Sequence, residues 1–184
     1  AATKQEIIPI QEILNAEILI TGVGIPNTIL RLSNHLHTNK YDVIINVGVC
    51  GSFNKKYKIG DVVEIINDQF SEIGYEDNNR FHAFDIEKNF SVSRQTRLDA
   101  VNGITVNTVH GNESSIEKVK ELFNPDVESM EGAACIMVSQ YFNISCIQIR
   151  GVSNYVEKRN KENWNLDLAI DNVNKELRNT INTL

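Results

Sequence analysis

The chain has 184 residues, 41% hydrophobic and 23% charged, with a formal net charge of -6. This size and composition predict a single globular domain, residues 1–184, whose core needs no disulfide or metal to hold it together. The acidic balance argues against a nucleic-acid or anionic-membrane partner. No apolar run approaches the roughly 20 residues of a membrane span, and no signal peptide is visible. A cytoplasmic location is therefore expected.

Cysteine and histidine spacing gives no sign of a metal site. The three cysteines lie inside apolar stretches without CxxC spacing, which predicts free, buried thiols in a reducing compartment. The histidines form no HExxH or other metal-binding pattern, and we predict neither a metal nor a cofactor. The chain opens on Ala1 rather than Met, which leaves room for a leading strand before residue 1.

Hydrophobic periodicity predicts helices and strands in alternation. Helices are predicted at residues 3–15 with an interruption at Pro9, 26–37, 114–124 behind a Ser114–Glu117 capping box, 131–142 and 166–181. Strands are predicted at residues 17–21, 42–47, 61–66, 103–109, 126–130 and 145–150. The polar stretch 68–89 reads as a mobile loop or an irregular insertion. Alternation of this kind predicts an α/β fold, a three-layer sandwich with a mixed central sheet flanked by helices.

Segments that follow predicted strands are where chemistry is expected, because ligands of open α/β folds bind at the carboxyl ends of strands. Two of these segments, residues 22–26 (GVGIP) and 48–52 (GVCGS), read as glycine-rich turns. Glycine lets backbone N–H groups approach an anion or a sugar. The spacing matches neither GxGxxG nor GxxxxGK[ST], so each segment is also explained as a compact turn.

Polar residues near these turns each have a structural and a functional interpretation. Glu131 either complements a helix dipole or grips sugar hydroxyls through charge-assisted hydrogen bonds. Glu6, in the segment TKQE, matches a capping box and on its own is best explained as a helix cap. Asn154 follows the strand predicted to end at Arg150. It is either a turn residue or a reader of a heteroaromatic ring edge, because its amide both donates and accepts.

The chain resembles the nucleoside phosphorylase and nucleosidase superfamily along most of its length, in the segments AATKQEI, ITGVGIPNT, INVGVCGSFNKKYKIGDVV, VESMEGAA and QIRGVSN. Within the superfamily, VESMEGAA followed by IRGVSNYVEKRNKENW most resembles the futalosine hydrolase family. That family releases hypoxanthine from futalosine, leaving dehypoxanthine futalosine, in an alternative bacterial route to menaquinone. The resemblance implies a nucleoside phosphorylase-like fold, a nucleosidase activity and a homo-oligomer, dimer or higher.

The resemblance also implies roles for matching residues. Glu6 falls where related adenosyl-nucleosidases keep the carboxylate that activates the attacking water. Glu131 matches the ribose-binding glutamate, and Asn154 stands where adenine-specific members keep an aspartate that protonates the purine. These three form the expected catalytic set. The expected substrate-binding residues, beside the sugar and the base, are Val49, Cys50, Gly51, Met130 and Ser153.

Two departures from the superfamily bear on the reaction. Similar phosphorylases hold phosphate with an Arg and a Ser, at positions that look like Asn46 and Val49 here, so water is the better nucleophile. Asn154 cannot act as an acid. It can accept from a protonated purine N7 while donating to a 6-oxo oxygen, which favours hypoxanthine over adenine.

The aromatic carboxylate of futalosine requires a cationic partner, and the sequence does not rank the candidates Arg80, His82, Lys56 and Arg159. Three alternatives stay open at this point. One is a methylthioadenosine/S-adenosylhomocysteine-type nucleosidase, which Asn154 opposes. Another is a purine nucleoside phosphorylase, which Asn46 and Val49 oppose. The last is a nucleoside-binding protein without catalysis, which the presence of both Glu6 and Glu131 opposes.

Overall fold

The computed structural model describes residues 1–7, 16–78 and 80–184. Its helices are α1 (Ile25–Thr38), α2 (Glu113–Phe123), α3 (Gly132–Tyr141) and α4 (Leu166–Ile181). Its strands are β1 (Val43–Ser52), β2 (Val62–Phe70), β3 (Gly74–Asp77), β4 (Arg80–Ala83), β5 (Asn89–Ser91), β6 (Asp99–Thr105), β7 (Val127–Ser129) and β8 (Ser145–Tyr155).

The main sheet has the strand order β5-β2-β6-β7-β1-β8 and is mixed. The pairs β1–β8, β2–β6 and β6–β7 are parallel, whereas β1–β7 and β2–β5 are antiparallel. The first residues of β2 also pair with β8, so the sheet curls until its two sides meet. The predicted α/β fold with a mixed sheet is confirmed, although the sequence did not indicate this closure.

Helices cover the sheet from both sides. On one side α3 is buried along nearly its whole length, which its small and apolar side chains permit, and α1 packs on it through Leu32 and Leu36. On the other side α4 packs Val173 and Leu177 against apolar residues of β1 and β8. Burial of these faces is the main stabilising contribution to such layers. The flanking helices were predicted correctly.

The strands β1 and β8 are longer than predicted. Residues 48–52 were expected to form a turn, but they lie inside β1, and Ser153 with Asn154 lie inside β8 rather than after it. The two segments pair with each other, with a register irregularity between Cys50 and Gly51. Partners on neighbouring strands satisfy the backbone donors and acceptors that a turn would otherwise expose, and this explains the error.

Two segments near the start differ from the prediction. Residues 3–7 form turns rather than helix, and the remainder of the predicted first helix, including Pro9, lies outside the described residues. Residues 17–21 do not form a strand of the sheet. Instead Thr21 N–H donates to the Ala1 carbonyl and Gly22 N–H to that of Ala2, at 3.0 Å each. These two hydrogen bonds join the segment to residues 1 and 2 only, which is too few residues to form a β-ladder.

The polar stretch 68–89 is more regular than expected. β2 continues to Phe70, and β3 and β4 then form a separate antiparallel hairpin. The stacked rings of Tyr75 and His82 face each other across this hairpin, an interaction that a search for hydrophobic alternation does not detect.

Two smaller findings concern caps and cysteines. Helix α2 is capped by Asn112, whose side chain accepts from Ser114 N–H at 3.0 Å, so the predicted Ser114–Glu117 capping box is wrong. All three cysteines are buried and free, as predicted. Among the helices of the described residues, none has the length and hydrophobicity that a membrane crossing requires.

Candidate active site

A cavity of about 200 Å³ opens where β1, β7 and β8 end. Every residue that the sequence predicted for the site lines it: Glu6, Val49, Cys50, Gly51, Met130, Glu131, Ser153 and Asn154. The structure thus brings together residues that are far apart in the chain. Their position at the carboxyl ends of strands is where ligands of α/β folds bind.

Two glycines of β1 make room for the polar groups of the cavity. A Cβ added at Gly48 would lie 2.8 Å from Glu6 Oε1, and one at Gly51 would lie 3.2 Å from Asn154 Nδ2. Distances this short leave no space for a side chain. The glycines therefore serve as close-approach positions within a strand rather than as turn residues.

Glu6 lies at the Gly48 end of the cavity. Its Oε2 accepts from Thr3 N–H at 2.9 Å and from Thr3 Oγ1 at 3.1 Å. This is the local contact of a capping box, although no helix follows within the described residues. Both contacts are made by Oε2, and the other oxygen, Oε1, points toward Gly48 of β1. The capping and functional interpretations of Glu6 are therefore compatible.

Arg150 is a buried cation that the sequence reasoning missed. It is 1% exposed, and its Nη1 donates to the carbonyls of Asn46 and Ile149. Its Nε has no hydrogen-bond partner within the described part of the chain, and it lies 3.9 Å from the Cβ position of Gly48, on which Glu6 Oε1 also converges. The arginine and Glu6, both among the described residues, thus approach the same position above Gly48 without forming an ion pair within 4.0 Å.

Glu131 closes the same end of the cavity. It is 9% exposed, and its Oε1 accepts from Gly24 N–H at 2.9 Å. Burial is the largest influence and raises the pKa of Glu131 above its usual value, whereas the Gly24 hydrogen bond and the charge of Arg150 act in the opposite direction. The predicted GVGIP turn therefore contributes a backbone donor to a carboxylate of this chain.

A buried polar network fixes helix α3 directly after Glu131. Thr105 Oγ1 accepts from Ala133 N–H at 2.8 Å and donates to Asp68 Oδ1 at 2.9 Å. Gln148 Nε2 donates to Asp68 Oδ2 at 2.7 Å. Burial raises the pKa of Asp68 to about 6 despite these hydrogen bonds. The network holds the start of the helix, and with it Glu131, in one position.

Asn154 lies at the opposite end of the cavity, beside Gly51. Its Nδ2 donates to the Tyr155 carbonyl at 2.9 Å, and its Oδ1 accepts from Ser153 Oγ at 2.8 Å. A carbonyl oxygen only accepts, so the contact with Tyr155 fixes which end of the amide is nitrogen. For a ligand, Nδ2 therefore keeps its second hydrogen as a donor, and Oδ1 keeps its second lone pair as an acceptor. The Cys50 thiol is inert here, because burial raises its pKa to about 12.

The sequence reasoning also missed His110 and Glu128, which line the cavity near Asn154. The His110 Nδ1 and Glu128 Oε2 are 2.6 Å apart. Trp164 lines the cavity as well, and the guanidinium of Arg159 lies 5.0 Å from the centre of its ring. The position of His110 shortly after a predicted strand was the only signal in the sequence that pointed to it.

A sequence model of the Phosphorylase superfamily matches residues 15–184 of the chain. The chain belongs to the phosphorylase superfamily. The resemblance to nucleoside phosphorylases and nucleosidases is thereby confirmed at the level of the superfamily, and the match includes all of the predicted site except Glu6.

Relatives and solved structures of this superfamily agree on the fold. A 5'-methylthioadenosine/S-adenosylhomocysteine nucleosidase of Staphylococcus aureus is 30% identical over 155 residues, covering 74% of this chain and 68% of the relative. Futalosine hydrolase of Helicobacter pylori superposes with a TM-score of 0.85 at 17% identity, covering 100% of this chain and 95% of the other. The 5'-methylthioadenosine/S-adenosylhomocysteine nucleosidase of H. pylori, complexed with a 4-aminopyrrolopyrimidine joined to a pyrrolidinol, superposes with a TM-score of 0.85 at 17% identity, covering 100% of this chain and 96% of the other.

Asn46 and Val49 bear differently on the choice between water and phosphate as the nucleophile. Asn46 does not line the cavity; its Nδ2 donates to Gln148 Oε1 at 3.2 Å. Its lack of charge therefore says nothing about phosphate, and Arg150 brings a cation close to Glu6. Of the two positions considered, only Val49 faces the cavity and offers no hydroxyl to an oxyanion. Val49 alone therefore carries the sequence argument for water over phosphate.

Proposed function

We propose that this chain is a nucleosidase that hydrolyses the N-glycosidic bond of futalosine and releases hypoxanthine, a step of the futalosine route to menaquinone. The observation that carries the proposal is the placement of two carboxylates, Glu6 and Glu131, at one end of a cavity whose other end carries Asn154. A nucleoside bound across this cavity would have its sugar near the carboxylates and its base near the amide. The names of the S. aureus and H. pylori proteins support a hydrolytic reaction.

The proposed chemistry divides between the two ends. As the bond between C1' and N9 breaks, the ribosyl group becomes an oxocarbenium-like cation, and the electron pair passes into the purine. Glu131 accepts hydrogen bonds from the ribose hydroxyls. Glu6 is the general base that takes a proton from the attacking water, a role typically worth 10²–10⁴-fold in rate. Arg150 does not line the cavity, so its part is to place a positive charge near Glu6.

Specificity for a 6-oxopurine is supported by the orientation of Asn154. Its Nδ2 retains a donor hydrogen for the 6-oxo oxygen, and its Oδ1 retains a lone pair for a protonated N7. Adenine carries a 6-amino group at this position, so two hydrogen-bond donors, that group and Nδ2, would face each other. Mismatches of this kind in a partly buried site discriminate strongly between substrates.

The aromatic carboxylate of futalosine requires a cationic partner, and Arg159 is the candidate that lies next to the cavity wall. Of the four candidates, Arg80 and His82 are on the hairpin strand β4, and Lys56 lies over the Tyr57 ring, outside the cavity lining. Arg159 lies over Trp164, which lines the cavity. An aryl group that stacks on Trp164 would bring its carboxylate to the guanidinium, a pairing in which arginine is favoured.

Arg159→Gln is expected to raise KM for futalosine about tenfold while leaving inosine hydrolysis unchanged, because only futalosine carries the carboxylate. Steady-state kinetics with both substrates measure this. Lys56→Gln is the matched control, since it also removes one exposed cation that lies over an aromatic ring, but outside the cavity lining. It should leave the kinetics of both substrates unchanged. Equal losses on futalosine and inosine in Arg159→Gln would contradict the assignment.

A methylthioadenosine/S-adenosylhomocysteine nucleosidase is the second candidate, favoured by the 30% identity with the S. aureus enzyme. A base-release assay decides between the two. Purified protein is incubated with futalosine, inosine, adenosine and methylthioadenosine, with and without phosphate, and the free base is quantified by chromatography. We expect hypoxanthine from futalosine, independent of phosphate. Adenine release would establish the second candidate, phosphate dependence would indicate a phosphorylase, and binding without release would indicate a nucleoside-binding protein.

The location and assembly of the protein also stay proposals. Three free, buried cysteines agree with a reducing compartment, and we propose the cytoplasm. The homo-oligomer implied by the family resemblance is tested by light scattering of the purified protein.

A further inference from the structure

An ion pair in the cavity wall has no part in the proposed function. His110 and Glu128 are both largely buried, with side-chain exposures of 12% and 4%. Glu128 Oε1 accepts from the backbone N–H of His110 at 3.0 Å, and its Oε2 lies 2.6 Å from His110 Nδ1. Both oxygens of the buried Glu128 carboxylate thus form hydrogen bonds with His110, one with its backbone and one with its ring.

The hydrogen bonds determine which nitrogen is left for a ligand. A carboxylate only accepts, so Nδ1 carries the proton that faces Glu128. This leaves Nε2, on a side chain that lines the cavity. A carboxylate that orients a histidine in this way also stabilises its cationic form. The hydrogen bond with Glu128 is the largest influence and raises the pKa of His110, whereas burial acts against it.

The pair lies at the base end of the cavity. A Cβ placed on Gly51 would lie 3.2 Å from Asn154 Nδ2 and 3.6 Å from Glu128 Cγ. Asn154 and Glu128 therefore flank the same glycine, whereas Glu6 lies by Gly48. The base that leaves at this end takes the electron pair of the broken bond. Asn154 can hold it by hydrogen bonds but has no acidic proton to give.

We propose that His110, held in place by Glu128, is the general acid that protonates the departing purine. The inference rests on the proposed nucleosidase function. As the bond between C1' and N9 breaks, its electron pair enters the purine ring, the Nε2–H bond of His110 breaks, and a new N–H bond forms on a ring nitrogen. The hydroxyl of water bonds to C1', and Glu6 takes the remaining water proton. Exchange with solvent then returns one proton to His110 and removes one from Glu6.

The charged groups around His110 define the expected pH dependence. Glu128 on β7 and Glu72, after β2, favour the imidazolium. Glu76 of β3 and Lys118 of α2 line an adjoining cavity of about 370 Å³ that His110 also borders. An acid must be protonated to act, so kcat falls as pH rises through the raised pKa of His110.

The test uses His110→Asn, whose amide nitrogen can replace Nδ1 as the donor to Glu128 but has no counterpart of Nε2. Two substrates are compared: futalosine, whose base requires a proton, and 4-nitrophenyl β-D-ribofuranoside, whose leaving group does not. We expect kcat for futalosine to fall about 10²–10³-fold. The nitrophenyl riboside should change less than threefold by the same reasoning, and the alkaline limb of the futalosine profile should disappear. His110→Gln, which retains a donor without acidity, should behave like His110→Asn.

Equal losses on both substrates, or an alkaline limb that persists in the variants, would overturn the role of His110. Should the variants fail to fold, the wild-type protein gives the same decision, because its alkaline limb must appear with futalosine and be absent with the nitrophenyl riboside. Wild-type protein that releases base from none of futalosine, inosine, adenosine and methylthioadenosine would instead reject the nucleosidase function itself. The two failures are therefore distinguishable.

Discussion

Replacement of Glu6 by glutamine is expected to lower kcat for futalosine by 10²–10⁴-fold, the usual contribution of a general base. Glutamine retains an oxygen that can accept from Thr3 N–H and Oγ1, so the turn at residues 3–6 should persist. It cannot take a proton from water. KM and the melting temperature should stay close to their wild-type values, and steady-state kinetics with thermal unfolding measure both.

A second variant separates base catalysis from a structural role of Glu6. Glu6→Ala removes the carboxylate, and added formate should restore part of its activity by acting as the base in its place. Glu117→Gln on the exposed face of α2 is the matched control and should leave turnover unchanged. Near wild-type turnover in Glu6→Gln, or no response of Glu6→Ala to formate, would reduce Glu6 to the capping role that its local sequence also predicts.

The sequence could predict those site residues that are marked by the pattern of their immediate neighbours. Glu131 sits between a short strand and a small-residue helix, and the glycines of residues 48–52 follow a continuous apolar run, so both were expected near a strand end. The resemblance to the superfamily added Glu6 and Asn154, which local patterns alone explain as a cap and a turn residue. All of these residues line the cavity in the structure, although their catalytic roles stay predictions.

Features created by contacts between distant segments could not be predicted in the same way. His110 and Glu128 are 18 residues apart and meet only because β6 and β7 are parallel neighbours. Arg150 reads as the last residue of an apolar strand, and its burial beside Glu6 follows from the pairing of β8 with β1. The pairing of β2 with β8 likewise depends on the curl of the whole sheet. Single-sequence periodicity carries no information about such partners.

Substitution of Asn154 by aspartate is expected to move the substrate preference from 6-oxopurines to 6-aminopurines. The new carboxyl loses the donor that Nδ2 offers to the 6-oxo oxygen, a loss of about 10²-fold in kcat/KM for futalosine. One of its oxygens also faces the Tyr155 carbonyl, where Nδ2 now donates. Two acceptors in contact favour the protonated carboxyl. Unlike the amide, a carboxylic acid has an acidic proton that it can give to N7 of adenine once its contact with the Tyr155 carbonyl is broken. Adenine release from methylthioadenosine should therefore increase.

The control for this switch is Asn154→Ala, which removes both hydrogen-bonding groups and should slow futalosine hydrolysis without any gain on methylthioadenosine. Ser153 offers a second check, because its Oγ donates to the oxygen that aspartate shares with asparagine, so Ser153→Ala should weaken both versions of the site similarly. If Asn154→Asp hydrolyses futalosine at the wild-type rate, the amide does not read the 6-oxo group. His110 would then be the candidate to distinguish hypoxanthine from adenine, since a cationic donor pairs with an oxo group and opposes an amino group.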